Sequence, residues 1–120
     1  MTNIDESAVA DLAVEYWKLH RAFERAIGHL DENRAHRAAA QARFAAGKLE
    51  AVLSGIGLRI VVFDSQIIGP TIPVQAINSD ELGAIIDPIV VETIDPAVLA
   101  GDRVVRMGRV VGGASNVSGN

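Results

Sequence analysis

The sequence predicts an α+β chain. An N-terminal αα-hairpin over 1–54 forms a dimeric four-helix bundle, and a small all-β domain of short strands over 55–111 follows it. Three observations lead there. Residues 7–53 contain no proline and are rich in Ala, Leu, Arg and Glu, with apolar side chains at helical spacing. Residues 55–111 hold all four prolines and short Val/Ile runs separated by Gly, Pro, Asn and Asp. Only five side chains are aromatic in a chain of 120 residues, so one copy alone has few large anchors for a core, and self-association is expected.

The first helical stripe is Val9, Leu12, Tyr16, Leu19, Phe23, Ala26 and Leu30, stepping by three and four without a fault. Ala38, Ala42, Ala45, Leu49 and Val52 form the second. The step from Leu30 to Ala38 puts the stripes out of phase by one residue. Between them lies a polar segment, 31–37, preceded by Gly28. One helix with a phase slip would explain this. Two helices meeting at a turn explain it better, because Gly28 suits a helix end and Asp31 or Asn33 suits the next N-cap. A seam repeating every seven residues is that of a bundle or coiled coil. Leu12, Tyr16, Leu19, Phe23, Ala26, Leu30, Ala38, Ala42, Ala45 and Leu49 are therefore expected at a dimer interface. The competing account is that the stripes pack only against the chain's own strands.

Strands are expected at 58–63, 72–77, 89–94, 98–99, 103–106 and 109–111. Turns are expected at 64–66 and at Gly101-Asp102, with the prolines at strand ends or edges. Such strands make a small sandwich or barrel. The Gly/Ser/Asn-rich stretch 112–120 reads as a disordered tail.

Candidate chemistry is sparse. There is no cysteine, hence no disulfide or thiolate metal site. His20 and Glu24, and Glu32 and His36, are one helical turn apart, a weak metal signal that surface helices produce by chance. Gly55-Ile-Gly57 lacks the third glycine of a dinucleotide loop and reads as a helix stop and a turn. Asp80, Glu81 and Asp95 read as solvated loop charges. No catalytic, cofactor or metal residue is assigned. The net charge of −4 argues against nucleic acid as the main partner. The acidic start does not read as a signal peptide, and no apolar run approaches the ~20 residues that span a bilayer, so a soluble cytoplasmic protein without a membrane partner is expected. One charge feature stands out. After Arg59 the β half has no basic residue until Arg103, Arg106 and Arg109, which with Met107 make a candidate partner-binding surface.

Leu19 to Ile27, Lys48 to Ile60 and Ile94 to Val110, taken together in their order and spacing, resemble the GrpE family of nucleotide exchange factors. Leu19-His-Arg-Ala-Phe-Glu-Arg-Ala-Ile27 looks like its first bundle helix, typically Leu-Asp-Asn-Leu-Glu-Arg-Ala-Leu. Lys48-Leu-Glu-Ala-Val-Leu-Ser-Gly-Ile-Gly-Leu-Arg-Ile60 looks like its second bundle helix running into the β domain. Ile94-Asp-Pro-Ala-Val-Leu-Ala-Gly-Asp-Arg-Val-Val-Arg-Met-Gly-Arg-Val110 is similar to its closing segment, Pro-Gly-Tyr-x-x-Asn-Gly-Arg-x-Leu-Arg-Pro-Ala-x-Val. There Gly101-Asp102 stands for the turn, and Arg103 and Arg106 for the two arginines. Ala97-Val98 replaces Gly-Tyr, Met107-Gly108 replaces Pro-Ala, and only Pro70 is kept of the Phe-Asp-Pro-x-x-His-Glu-Ala segment. The family's long N-terminal helix is largely missing. The resemblance implies a divergent, shortened co-chaperone in protein folding and the stress response. Its β domain would bind the ATPase domain of a DnaK-type chaperone and promote ADP release, as a homodimer and with no cofactor.

Overall fold

The computed structural model describes residues 5–115. The chain is α+β: two helices, α1 (Glu6–Ile27) and α2 (Glu32–Gly55), precede six short strands. The strands are β1 (Arg59–Val61), β2 (Val74–Ala76), β3 (Ile89–Asp95), β4 (Ala97–Ala100), β5 (Arg103–Arg106) and β6 (Gly108–Gly113). A 3-10 turn, Ser79–Glu81, falls between β2 and β3 and was not expected from the sequence.

Each helix starts on a carboxylate. Asp5 accepts from the Ala8 amide at 3.2 Å, and Asp31 accepts from the Arg34 amide at 2.9 Å. These caps satisfy donors that the first turn cannot bond internally. Gly28 ends α1 as expected, though with φ of −61° it makes no use of left-handed freedom. Gly57 does, at φ of +81°. It closes α2 in a Schellman motif: its amide bonds the Ser54 carbonyl at 3.0 Å, and the Leu58 amide reaches back to the Leu53 carbonyl at 2.8 Å. The apolar contact that accompanies this motif joins Leu58 to Leu53, both buried in one cluster. The helix stop read at Gly55-Ile-Gly57 thus delivers the chain directly into β1.

The strands form two three-stranded sheets, ordered β1-β4-β5 and β2-β6-β3. The first is antiparallel throughout. In the second, β2 runs parallel to β6 and β3 runs antiparallel to it. The chain passes from one sheet to the other at Asp95-Pro96, both buried. β6 extends through the buried Gly112 to Gly113, two residues into the stretch read as a tail; residues 116–120 of that stretch lie outside the described residues. On one side the extension pairs with Val90 and Ile89 of β3. The Asn78 side chain donates to the Gly112 carbonyl and accepts from its amide, both at 2.9 Å, taking the place of a neighbouring strand.

Two apolar cores result. One joins Val74, Val90 and Val110 within the second sheet. The other joins Ala10, Ala13 and Val14 of α1 to Leu53 of α2, Leu58, and Val98 of β4. The hairpin and the first sheet therefore share a core. Small side chains on α1 let the helix sit close to the strands.

Candidate partner interface

The centre of the charged region is Asp95, 1% exposed at the end of β3. Strand register places it opposite Arg109 of β6, whose Nε donates to Oδ2 at 2.9 Å. Arg106, at the end of β5, donates to the same oxygen at 3.2 Å. From the helical side, Lys18 Nζ lies 3.1 Å from Oδ1 as an ion pair; that oxygen accepts no aligned hydrogen bond. Burial acts to raise the Asp95 pKa, but Lys18, Arg109 and Arg106 outweigh it and hold the carboxyl below its ordinary value.

Two further carboxylates of α1 complete the network. Arg106 reaches Asp11 at 3.1 Å, and Arg103 reaches Glu6 at 2.9 Å. The structure thus brings Arg103, Arg106 and Arg109 to the chain's own acids. It leaves them unequally available. The Arg103 side chain is 61% exposed in a surface pair, while that of Arg106 is 28% exposed and held by two acids. Arg109 is half-exposed. Met107 is exposed and, with Val104, Phe63, Pro70 and Pro73, lines a groove of about 560 Å³ between segment 69–73 and strands β4 and β5.

The helical candidates divide in two. On α2, Ala42 is buried, and Ala38, Ala45 and Leu49 are half-buried. On α1, the core-facing side is Ala10, Ala13 and Val14, not the stripe of larger side chains. Leu12 and Leu19 are 70% and 67% exposed, Phe23, Ala26 and Leu30 are exposed, and Tyr16 is half-buried. α1 therefore has two apolar faces on roughly opposite sides, because residues 12, 19, 23 and 26 fall on the far side of a 3.6-residue period from 10, 13 and 14. The chain covers only one of them.

Lys18, Asp11 and Glu6 are partners that sequence reasoning did not find. The competing expectation from sequence, that the arginines bridge to Asp87, Glu92 or Asp95 within the chain, holds for Asp95 with Arg106 and Arg109. The reading of Asp95 as a solvated loop charge is corrected, because it is buried at the end of β3. The usable signal was Asp95-Pro96 set between two apolar runs, a poor place for a solvated charge. No helix among the described residues is long and apolar enough to cross a membrane. In comparisons with known proteins, no family model, no curated protein and no solved structure matches this chain.

Proposed function

We propose that the protein is a dimeric, non-catalytic nucleotide exchange factor of GrpE type, which binds the ATPase domain of a DnaK-type chaperone and promotes ADP release. The observation that carries this reading is the second apolar face of α1. Leu12, Leu19 and Phe23 stand exposed on a helix whose other face is already packed, and Leu30 is exposed in the turn that follows it. A second copy laid along that face would complete a four-helix bundle and remove those side chains from water. The element order, a helical hairpin leading through Gly57 into a small two-sheet β domain, supports the same reading.

The mechanism requires no bond to be made or broken. A protein that binds the open ATPase better than the closed, ADP-bound one shifts that equilibrium by its difference in affinity. The proposed contact on the β domain is Met107 with Arg103 and Arg109, and Arg106 acts there chiefly by holding β5 to Asp95 and Asp11. The test is release of labelled ADP from the DnaK-type chaperone of the native host. Faster release is expected in the presence of the protein.

A second reading, a dimeric adaptor that holds another protein without affecting nucleotide, gains support from one observation. The arginines resembling the family's basic residues already have in-chain acids, which reduces the free donors for an ATPase surface. Tight binding to the chaperone with unchanged ADP release would favour the adaptor. Recovery of an unrelated protein in a pull-down, with no chaperone, would reject the exchange role.

A further inference from the structure

The second sheet, β2-β6-β3, has one packed face and one open face. Side chains alternate across a strand, so the register assigns each to a side. Val74, Val90 and Val110 belong to the packed face. The open face carries Ile89 of β3, Val111 of β6 and, by the same alternation, Ile77 just past β2. Ile67 bridges to Ile89 and extends this face sideways. Val91, at the bulge in β3, lies over Gly113, where an added Cβ would stand 3.3 Å from it. Ile67, Ile77 and Val91 are each more than half exposed, and Ile89 and Val111 are half-buried. A sheet ordinarily buries such a face under a second layer. The first sheet does so under the hairpin, through Leu58 and Val98. On the second sheet Lys18 of α1 meets Asp95, at the opposite end of β3 from Ile89.

The surround of this face is acidic. From residue 60 to residue 102 the chain has no Lys, Arg or His. Glu92 stands beside Val111 in the register. Glu81 accepts from Asn78, the residue that holds Gly112, and so borders the end of β6. Asp87 lies in the loop that enters β3. None of these three carboxylates has an ion pair among the described residues. Arg109, at the far end of the face, is already held by Asp95.

We propose that this face docks a basic amphipathic helix of a partner protein, its aliphatic stripe on Val91, Val111 and Ile77 and its Lys or Arg side chains toward Glu92 and Glu81. A helix laid on a sheet supplies the missing layer, with apolar anchors at helical spacing. The uncompensated carboxylates select a cationic flank and repel an acidic one. The face adjoins the proposed chaperone contact at Arg109, but the inference does not rest on that reading, and its test contains no chaperone.

The experiment follows the anisotropy of a labelled Leu/Lys peptide of amphipathic helical pattern as the full chain is added. A Leu/Glu peptide of the same pattern and a Leu/Lys peptide of scrambled order serve as controls. The patterned Leu/Lys peptide should bind saturably and about tenfold or more tighter than either control. Glu92→Lys should weaken it about tenfold and strengthen the Leu/Glu peptide. Val91→Asn changes an exposed side chain, so circular dichroism should match the parent while affinity falls by about threefold or more. Phe44→Ser, which removes an exposed apolar side chain of α2, should leave binding unchanged. The proposal is overturned if binding does not saturate, if the scrambled peptide binds as well, if Glu92→Lys and Val91→Asn leave affinity intact, or if Phe44→Ser abolishes it. A Val91→Asn chain of lower mass than the parent in light scattering would assign the face to a second copy and overturn it equally.

Discussion

Lys18 Nζ stands 3.1 Å from Asp95 Oδ1, joining the middle of α1 to the point where the chain crosses between its two sheets. Arg106 and Arg109 approach the other oxygen of the same carboxylate, so Asp95 ties β3 at once to α1, β5 and β6. Breaking such a buried pair costs more than the pair contributes, because the remaining charges lose their compensation. Asp95→Asn should lower stability by about 1–3 kcal/mol; the cost is moderated because the three cations are part-exposed and can regain water. Urea unfolding at neutral pH measures this, and an unchanged midpoint would count against the role.

The same carboxyl sets an acid limit. Its folded pKa lies below the ordinary aspartate value, so its ionised form stabilises the fold. That contribution is complete above the unfolded pKa and is lost as pH falls through the folded one. The difference in stability between parent and Asp95→Asn should therefore hold steady at neutral pH and shrink as pH drops below about 4. A difference that instead changes between neutral and alkaline pH would assign it to another group.

An Ala-rich hairpin, taken from sequence alone, is expected to melt apart from the β half. The shared cluster of Ala10, Ala13, Val14, Leu53, Leu58 and Val98 argues for one transition. Leu53→Ala should cost about 2–5 kcal/mol and move helix-sensitive and strand-sensitive signals together. Two separated transitions in the parent protein would show that this cluster does not couple the halves.

Much of this architecture was legible because it is local. Asp31 marks the second helix start by its own cap, Gly57 marks the stop, and prolines bracket the strands. Of the charge network, the bridge from the arginines to Asp95, 11 and 14 positions away, could be named as an alternative from sequence. Its helical side could not, because those partners are distant: Arg103 bonds Glu6 across 97 positions, and Arg106 bonds Asp11 across 95. Nor does a periodic pattern say which apolar face the chain itself covers. The stripe of larger side chains on α1 drew attention, whereas the alanines at 10 and 13 form the actual contact with the strands.

That inversion sharpens the assembly prediction. Leu19 and Phe23 are exposed in the single chain, so replacing both with Asp should leave each copy folded and block association. Light scattering should give a two-chain mass for the parent and a one-chain mass for the double variant, with unchanged circular dichroism. A one-chain mass for the parent would remove the dimer from the proposed function.

Arg103 and Arg106 provide the last test, because the structure gives them different tasks. Arg103 meets Glu6 in a surface pair, and exposed pairs contribute little, so Arg103→Ala should change stability by less than about 1 kcal/mol. Arg106 is more covered and bridges Asp11 to the buried Asp95, so Arg106→Ala should be clearly destabilising. Partner binding should separate them the other way. Arg103 has an exposed guanidinium that can exchange Glu6 for a partner's carboxylate, so Arg103→Ala should weaken binding to the DnaK-type ATPase domain with folding intact. The loss should reach about 2–5 kcal/mol if a buried charge pair forms, and far less at a rim. For Arg106→Ala, any loss of binding should follow the loss of folded protein. If Arg103→Ala binds normally while Arg106→Ala, tested where it is fully folded, does not, the contact lies nearer to β3 and β6 than proposed, and Arg103 leaves the interface.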